Sequence, residues 1–523
     1  LPTAPSTVVD VTFVANLLST HPNQELVSFV VLGLSGGFDI GFGGPITPGI
    51  RINNRSAIDN ADKVMAVLIR ELTAQHICGP FQQLPFRKFH CSPLGAANKP
   101  DGSVRLILDL SAPRGSSINE GIDPQQFSVT YSTFDEALSI VQQLGPGSYM
   151  SKFDLKHAFR LCPVRKEDWP LCFHWASSFF VHVTLQFGSR SSPSIFNRVA
   201  DMLCWIFAMV ADIPHILHYL DDFFLARASL PLCQRDLDRA CGLCSQLSIP
   251  LAPEKLVLPN TQIIYLGILI DTEKMQISLP EEKLLRLESI LREWERFPSC
   301  SKRQLLSLIG SLSFACKVIR AGRIFLRRLI DFSTELPQLS TTASLSPEAL
   351  LDIRWWVTSV RSWNGQELIP SEPRTCVELT LFTDASDLGF GGFFGTHWFA
   401  SKWQPPFKNT HINIRELVAV ATEILLWGHL WRDQSVILYT DNLSVVQVWS
   451  TGSCKDKFMM RVIRFLFFFM ARYNLNIKLQ HVFGFHNAKA DALSRFQVQK
   501  FFLLHPSADE VPTTPHPSMW ADF

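Results

Sequence analysis

The sequence lacks several features that would assign the chain to a class at once. Its 48 Lys and Arg residues nearly balance its 47 Asp and Glu residues, so no overall basic excess indicates a nucleic-acid partner and any such surface must be local. No run of about 18 apolar residues occurs. The apolar segment 465–471 is too short to span a bilayer and lies between Arg464 and Arg472. The N-terminus has no basic region followed by an apolar core. We therefore expect an intracellular protein, in cytoplasm or nucleus, without a membrane partner.

Cysteine and glycine also lack ligand-binding patterns. The 12 cysteines show no repeated spacing, and we expect them to be reduced and mostly buried. Cys241 and Cys244 form one Cys-x-x-Cys in a helix-like segment without a second pair, which disfavours a zinc site. Glycine-rich residues 33–37 and 41–45 are not followed by the Lys-Ser/Thr of a phosphate loop, so turns are expected there.

What is present indicates a large globular protein. Of the 523 residues, 47% are hydrophobic and 18% charged, which at about 150 residues per domain predicts roughly three or four domains with their own cores. A chain that begins with Leu is expected to be a fragment of a longer protein. Residues 1–90 form an N-terminal region without assigned chemistry, in which the spacing of apolar residues predicts a helix over 59–75.

Two adjacent carboxylates interrupt an apolar stretch at residues 215–226. β-favouring residues on both sides predict two short strands, with Asp221 and Asp222 at the tight turn between them. Asp-Asp is also common in tight turns that have no further function, which is the alternative interpretation. A third acid, Asp154, ends another apolar segment at 151–159. Three acids on neighbouring strands can hold two divalent cations, so this set predicts a metal site.

A hairpin upstream carries two cations. Pro100-Asp101-Gly102 is a strong turn signal, and it places Lys99 and Arg105 on the two arms. They could grip a triphosphate, or they could be ordinary solvated charges. Further along, residues 185–196 predict a loop that leads into a helix, because Pro193 is well tolerated in a first helical turn.

These segments together resemble the motifs of reverse transcriptases, in order and in rough spacing. The matching residues are Phe153-Asp154 with Phe159, Phe187-Gly188 to Ser192-Pro193, Tyr219-Leu220-Asp221-Asp222, Glu254-Lys255 and Tyr265-Leu266-Gly267-Ile268. The resemblance implies an α+β multidomain protein with a right-hand polymerase: fingers and palm over 91–275 and a helical thumb over 276–332. It also implies dNTPs as substrates, an RNA template and a DNA primer.

The resemblance assigns roles to individual residues. Asp154, Asp221 and Asp222 would hold two Mg²⁺ ions, with Mn²⁺ as an alternative, in a site for nucleotide addition. Phe159 resembles the aromatic residue that blocks a ribose 2′-hydroxyl, although a core aromatic is the alternative reading. The remaining substrate-binding residues would be Lys99, Arg105, Phe187, Gly188, Tyr219 and Lys255. Gln186 departs from the family, which usually has Pro in that place.

The segment 299–330 is basic and has no acid. It carries Lys302, Arg303, Lys317, Arg320, Arg323, Arg327 and Arg328. A helical thumb could use such residues as sequence-blind contacts to template-primer phosphates, and a solvated helix face is the alternative. Residues 333–375, rich in Ser, Thr and Pro, predict a connector with one tryptophan-bearing helix.

A second set of acids follows from residue 376. Asp384 ends a predicted strand, Glu416 lies early in a long helix, Asp441 follows a strand and Asp491 opens a helix. Each alone could be a helix cap or a solvated charge. The ordered set resembles a ribonuclease H domain over 376–496, in which the four acids would bind Mg²⁺ and activate water against the RNA of an RNA–DNA hybrid. Here Phe485 follows Gly484, where the family often has His, so His486 has no assigned role.

We therefore hypothesise an RNA-directed DNA polymerase with ribonuclease H activity, from a retrotransposon. Asp384-Ala385-Ser386, Asn413-Ile414-Arg415-Glu416-Leu417 and Asp441-Asn442 look most like the tyrosine-recombinase (DIRS-like) group. Residues 497–523 are expected to be a flexible tail. The alternative hypothesis is a domesticated element protein that binds nucleic acid without catalysis.

Overall fold

The computed structural model describes the whole chain except residues 47, 100–101, 366, 369–380, 433, 474 and 521–523. The chain divides into two compact units, the first formed by residues 1–266 and 271–273 and the second by residues 267–270 and 274–523. No helix in the described part of the chain is long and apolar enough to cross a bilayer.

The first unit contains seven helices and eleven strands among its described residues. The helices are α1 Val11–Leu17, α2 Gln24–Gly36, α3 Arg55–Ile58, α4 Ala61–Thr73, α5 Phe134–Leu144, α6 Ser192–Met209 and α7 Leu230–Gln246. The strands are β1 Ile77–Phe81, β2 His90–Ser92, β3 Leu94–Asn98, β4 Val104–Leu108, β5 Tyr149–Asp154, β6 Leu171–Trp175, β7 Ser178–His182, β8 Ile216–Tyr219, β9 Asp222–Arg227, β10 Val257–Asn260 and β11 Gln262–Tyr265.

Three sheets organise this unit. One has the order β1-β7-β6-β2, a second is the β3–β4 hairpin, and the third has the order β10-β5-β9-β8. Within the third sheet, β9 is buried on both faces: α5 and α7 contact β9, and α6 contacts β8 beside it. Phe223, Phe224 and Leu225 are therefore all buried. A strand covered on both sides needs a continuous apolar run, which is what the sequence has after Asp222.

Aromatic packing fixes helix α6 against this sheet. The ring of Phe153 on β5 stacks on Phe223 at 5.1 Å between centroids, and Phe207 of α6 meets both rings edge-on at 5.7 and 5.6 Å. Such pairs contribute about 0.5–1.5 kcal/mol each beyond area burial. They make a rigid base next to the ends of β5 and β9, where the acids lie.

The second unit contains the remaining elements. Its helices are α8 Glu281–Arg296, α9 Lys302–Ala315, α10 Arg327–Glu335, α11 Pro347–Trp363, α12 Pro405–Lys408, α13 Ile412–Trp427, α14 Leu443–Thr451, α15 Lys457–Arg472, α16 Ala488–Ser494 and α17 Val498–Leu504. The strands are β12 Ile268–Asp271, β13 Gln276–Ser278, β14 Ser299–Ser301, β15 Thr342–Ser344, β16 Glu367–Leu368, β17 Leu381–Ala385, β18 Gly389–Phe394, β19 His397–Lys402, β20 Ser435–Thr440 and β21 Asn476–His481.

A five-stranded sheet with the order β19-β18-β17-β20-β21 forms the centre of residues 381–520. β17, β18 and β19 are antiparallel neighbours, whereas β20 and β21 join in parallel. Helices α13 and α16 lie against β17 and β18. Gly391 of β18 stands opposite Asp384 of β17. A Cβ at Gly391 would come within 2.6 Å of the Leu493 Cβ, so α16 packs this closely only because that position has no side chain.

Two predictions from the sequence differ from the structure here. Residues 498–504, expected in a flexible tail, form α17, whose Phe501 is fully buried. The segment that follows is bound to β19 and to α13, because the Trp398 indole donates to the Asp509 carbonyl at 2.7 Å and the Trp520 indole donates to Thr422 Oγ1 at 2.9 Å. Apolar residues far apart in sequence supply these contacts, so the proline-rich composition alone did not indicate them.

The basic segment also differs in part. Arg327 pairs with Asp331, and Arg328 pairs with the buried Asp352 at 3.1 Å, while Lys302 Nζ donates to the Leu336 carbonyl at 2.6 Å. Lys302 and Arg328 thereby connect α9, α10 and α11, whereas the Arg327–Asp331 pair lies within α10. Exposed cations remain at Arg303, Lys317 and Arg323, and the Arg320 side chain lies outside the described part. The free basic surface is therefore smaller than the sequence predicts.

Candidate functional site

The β8–β9 hairpin forms as predicted, but its turn lies one residue earlier than expected, because Asp222 already belongs to β9. β8 and β9 pair with Tyr219 opposite Asp222, and Leu220 and Asp221 make the turn. Leu220 adopts a left-handed conformation with φ of 53°, which costs free energy for a branched residue. The buried His218 offsets this cost, because its Nδ1 lies 3.2 Å from the Leu220 carbonyl oxygen and its Nε2 lies 2.9 Å from Asp201 Oδ1. The two contacts of His218 therefore fix the conformation of the turn that carries Asp221.

Strand register brings the third acid to this hairpin. β5 pairs with β9 so that Asp154 stands directly opposite Asp222, next to the turn that carries Asp221. Asp154 is buried, and Asp221 and Asp222 are half-buried. The three predicted acids thus lie at one end of one sheet.

Two lysines accompany these carboxylates. Lys255 Nζ donates to Asp154 Oδ2 at 2.9 Å, and Lys152 Nζ lies 3.6 Å from Asp222 Oδ2. Burial raises the pKa of Asp154, against the hydrogen bond from Lys255, and the Asp221 charge adds to the rise. Burial likewise raises the pKa of Asp222 to about 6, although Lys152 opposes it. The pKa values of Asp154 and Asp222 stay raised although a lysine lies beside each carboxylate. A divalent cation would stabilise the ionised carboxylates further, so the group is suited to such ions.

A group of aromatic residues lies beside the acids. Phe159 follows β5 in a 3-10 turn, Ala158–Leu161, and its ring lies 5.7 Å from buried Phe196 and 5.0 Å from exposed Phe187. Phe159 is itself half-buried, so one edge packs on the core and the other faces the Phe187 loop. On the hairpin, the Tyr219 ring contacts Tyr131 at 4.9 Å.

The loop after β7 is closely packed at Gly188. This residue has φ of 100°, and a Cβ there would come within 2.6 Å of the Leu108 carbonyl oxygen on β4. The Gly188 carbonyl accepts from Asn119 Nδ2 at 2.9 Å. Only glycine fits this close approach. The loop is thus joined to the hairpin that carries Arg105, whose guanidinium lies 5.9 Å from the Phe187 ring centroid.

The β3–β4 hairpin, which carries Lys99 and Arg105, has the predicted strand pairing. Ala97 stands opposite Arg105, and Lys99 begins the turn with its amide donating to the Ser103 carbonyl at 2.8 Å. Both cations are exposed. Of the predicted turn residues, Pro100 and Asp101 lie outside the described residues.

The second set of acids converges on the five-stranded sheet. Asp384 on β17, Glu416 on α13 and Asp441 after β20 each offer a carboxylate oxygen, and these three oxygens lie within 4.8 Å of one another. Among the described residues this is the group of three such side chains with metal-ligand geometry, and the oxygens of Asp154, Asp221 and Asp222 are not brought together this closely. Asp491 lies near enough to raise the pKa of Asp384 and Asp441, and accepts from Arg495 Nε at 2.6 Å.

Burial and mutual repulsion dominate the electrostatics of this group. Burial, with the charges of Asp441 and Asp491, raises the pKa of Asp384 to about 7 in spite of a hydrogen bond from Ser494. Burial also raises the pKa of Glu416 well above its ordinary value. Glu416 Oε2 is buried without a hydrogen-bond partner in the described part of the chain. An unsatisfied carboxylate oxygen facing two other acids fits a divalent cation.

Comparison with known proteins finds a family for part of the chain. Residues 97–270 match the family model for reverse transcriptase (RNA-dependent DNA polymerase). These residues are therefore similar to a reverse transcriptase domain. It is 22% identical over 421 residues to Polyprotein P3 of Commelina yellow mottle virus, a match that covers 75% of this chain. The match spans 20% of the length of that curated relative.

One solved structure is similar in fold to most of the chain. A foamy viral protease-reverse transcriptase in complex with double-stranded DNA is similar over 92% of this chain and 83% of its own, with 15% identity and a TM-score of 0.50. A second foamy viral structure, in complex with an RNA/DNA hybrid, covers 92% of this chain and 64% of its own, with 15% identity and a TM-score of 0.49. The predicted fold class, a polymerase followed by a ribonuclease H-like domain, is confirmed.

Sequence reasoning missed several residues that contact the acids. Lys152 lies two residues before Asp154 on β5, so the period of a strand could have placed both on one face. Ser494 follows Asp491 by three residues, a helical spacing that puts both side chains on one side of α16. Asn487 Nδ2, which donates to the Thr383 carbonyl at 3.0 Å and lies 3.5 Å from Asp384 Oδ1, had no local signal.

Proposed function

We propose that this chain is an RNA-directed DNA polymerase that also cleaves the RNA strand of an RNA–DNA hybrid. Support for the polymerase is the register of β5 against β9, which sets Asp154 opposite Asp222 beside the Asp221 turn, within a reverse transcriptase domain. Support for the nuclease is the group of three carboxylates on the second sheet. The element would be a retrotransposon of the tyrosine-recombinase (DIRS-like) group, on the motifs around Asp384, Glu416 and Asp441.

In the polymerase site, Asp154, Asp221 and Asp222 would hold two Mg²⁺ ions. When bound, the ions lower the pKa of the primer 3′-hydroxyl and neutralise the triphosphate and the leaving pyrophosphate. Lys255 is held beside Asp154 by its 2.9 Å hydrogen bond, within reach of a triphosphate at the same acids. Lys99 and Arg105, on the exposed hairpin, would bind the outer phosphates.

The pocket for the nucleotide would be formed by the aromatic group. Phe159 is fixed from behind by Phe196, so its ring cannot retreat from a ribose placed against it. We propose that this ring excludes the 2′-hydroxyl and makes dNTPs the substrates. Phe187 and Gly188 would line the nucleotide from the loop, and Tyr219 would contact the primer end. A DNA primer and an RNA template complete the complex; the foamy viral structure with TM-score 0.50 was solved with double-stranded DNA.

In the nuclease site, Asp384, Glu416, Asp441 and Asp491 would hold Mg²⁺, which activates water for attack on the RNA phosphate. Ser494 and Asn487 orient Asp384 through hydrogen bonds to its two oxygens. Arg495 holds the Asp491 carboxylate at the rim. Residues that orient metal ligands in this way commonly affect metal affinity by ~10- to 100-fold.

The deciding experiment is primer extension on an end-labelled RNA template with dNTPs and Mg²⁺. Asp221→Asn is expected to lose DNA synthesis by more than ~100-fold and to keep template cleavage, whereas Asp384→Asn is expected to do the reverse. EDTA should stop both reactions. Tight binding of a hybrid by the wild-type chain with neither reaction would instead support the alternative, a domesticated element protein that binds without catalysis.

A further inference from the structure

A short loop beside the second site exposes two aromatic rings. We call residues 482–487 the aromatic loop; it connects β21 to α16. Phe483 and Phe485 within it are 65% and 73% exposed, and their rings are parallel, with centroids 5.9 Å apart and planes 5° apart. The His486 ring packs on Phe485 at 4.0 Å. This is an ordered, solvent-facing aromatic surface.

Hydrogen bonds fix the backbone of the aromatic loop. The Val482 amide donates to the Thr440 carbonyl at 3.0 Å, which ties the start of the loop to β20. Within the loop, the His486 amide donates to Phe483 at 2.8 Å and the Asn487 amide donates to Gly484 at 3.0 Å. The Asn487 side chain closes the far end on β17. The two rings therefore project from a braced turn.

The loop lies directly over the acids. A Cβ built on Gly484, between the two phenylalanines, would lie 3.5 Å from Asp441 Oδ2. Asn487, at the loop end, is 3.5 Å from Asp384 Oδ1. Any strand whose phosphate lies at these carboxylates must pass the aromatic loop within one or two nucleotides, because a strand advances only ~3.4 Å per nucleotide.

Packing in the protein core does not account for the two phenylalanine rings, because both are mostly exposed. A single exposed phenylalanine is common, but two stacked rings held outward next to a catalytic cluster form a small exposed apolar patch. Aromatic faces bind sugars and bases without regard to sequence. A nucleic acid strand bound at the acids would have its sugars and bases next to the phosphates and therefore close to these rings.

We propose that Phe483 and Phe485 form a platform that contacts the sugar and base next to the scissile phosphate, in the strand that the acids cleave. This inference rests on the proposed nuclease function and deepens it: the platform sets which phosphate lies at Asp384, Glu416 and Asp441. The two phenylalanines are positioning residues, because they act on where the strand lies and carry no part of the chemistry.

The first test detects the contact without requiring cleavage. A photoreactive phenylalanine, p-benzoylphenylalanine, is placed at position 485 of the full chain, and at Leu503 as an equally exposed apolar control on α17. Each chain is irradiated with an RNA–DNA hybrid labelled on one strand or the other. We expect cross-linking at position 485, to the RNA strand, and background at position 503.

The second test separates positioning from structure. For the double variant Phe483→Leu/Phe485→Leu we expect KM for hybrid cleavage to rise ~10-fold with kcat within about twofold, and the cut positions to spread. Phe483→Tyr/Phe485→Tyr should restore both KM and the cut positions, because it keeps the aromatic faces. Leu503→Ala should leave cleavage as in the wild type.

The outcomes are distinct. Unchanged KM and cut positions in the leucine variant, or cross-linking at 485 no stronger than at 503, overturns the platform. Cross-linking to a co-purified protein in place of the hybrid also overturns it, since it assigns the rings to a protein partner. If the wild-type chain cleaves no hybrid, the proposed nuclease function fails, while a strand-specific cross-link at 485 still establishes the contact.

Discussion

At the scale of single residues, the acids Asp154, Asp221 and Asp222 are not an isolated cluster, because ion pairs link two of them to lysines. Asp154 is bound by Lys255, and Asp222 lies near Lys152, so each acid already has a cationic neighbour. These neighbours lower the cost of bringing three carboxylates together in a partly buried place. Substrate and metal would take over that compensation on binding.

Lys255→Gln should therefore affect nucleotide binding more than chemistry. We expect KM for dNTPs to rise ~10-fold, because one charge-assisted contact to the triphosphate is lost, with a smaller fall in kcat. Steady-state primer extension gives both constants. Lys166→Gln, at another exposed lysine of the same unit, is the control. A fall in kcat with KM unchanged would assign Lys255 to the chemical step instead.

Phe159 allows a direct test of sugar selection. Phe159→Val should lower discrimination against rNTPs by ~10-fold or more, because the ring that meets the 2′-hydroxyl is removed. Phe159→Tyr keeps the ring and should keep the discrimination. The ratio of kcat/KM for a dNTP and its matching rNTP measures the effect, and an unchanged ratio in Phe159→Val would make Phe159 an ordinary core residue.

Glu423 is a buried acid that neither site uses. Both its carboxylate oxygens lack hydrogen-bond partners in the described part of the chain, and burial raises its pKa well above 4.5. The folded state thus holds a proton that the unfolded state releases above pH ~4.5, so this group makes stability fall as pH rises. Glu423→Gln should increase the free energy of unfolding at pH 8 by about 1–3 kcal/mol, and little at pH 4. Urea unfolding at both pH values checks this.

At the scale of elements, one buried arginine joins three parts of the first unit. Arg160, next to Phe159, pairs with Glu71 of α4 at 2.9 Å and donates to the Leu185 carbonyl at 3.0 Å, just before the Phe187 loop. Burial alone would raise the pKa of Glu71, but His76 and Arg160 lower it to about 2. A single network thus positions the turn and the loop that would flank the nucleotide in the proposed polymerase site.

The depressed pKa of Glu71 fixes the sign of a pH effect. The stabilisation from ionised Glu71 is present above the ordinary value of 4.5 and is lost as pH falls towards 2. Glu71→Gln should therefore weaken the wild-type loss of stability over this window, as followed by denaturant unfolding. Glu71→Ala, which leaves Arg160 buried and unpaired, should cost about 3–5 kcal/mol at pH 7. Exposed Glu25→Gln is the control, and equal pH profiles for Glu71→Gln and wild type would contradict the assignment.

At the scale of the whole molecule, a buried acid connects helices that sequence assigns to different regions. Asp352 of α11 lies between Arg328 of α10 at 3.1 Å and Arg464 of α15 at 3.9 Å. The predicted thumb, connector and nuclease segments thereby share contacts within one compact unit. The boundaries at 276, 333 and 376 stay predictions from sequence.

Asp352→Ala should destabilise the second unit by about 3–5 kcal/mol, since it leaves two arginines without their acid. Calorimetry should show one transition lowered and another unchanged, because separate units commonly unfold separately. Glu71→Ala should lower the other transition. If both substitutions shift the same transition, the chain unfolds as one cooperative body.

Local patterns predicted a large part of this structure. The Asp221–Asp222 hairpin, the Lys99–Arg105 hairpin and the helix carrying Glu416 all follow from turn residues and apolar periodicity. What escaped prediction depends on contacts between distant segments: Trp520 on α13, and Arg328 on Asp352. No periodicity encodes these pairings, so composition was misleading at the C-terminal segment and at the basic segment.

The missing side chain at Gly391 has a consequence for the acids around Asp384. Gly391 stands opposite Asp384, and α16, whose Ser494 donates to Asp384, packs closely against β18 at this position. A methyl group at position 391 would collide with Leu493 of α16, and we expect the resulting shift to weaken the hydrogen bond from Ser494 to Asp384. We therefore expect the spacing between β18 and α16, as well as the charges of the acids, to determine how Asp384 is held.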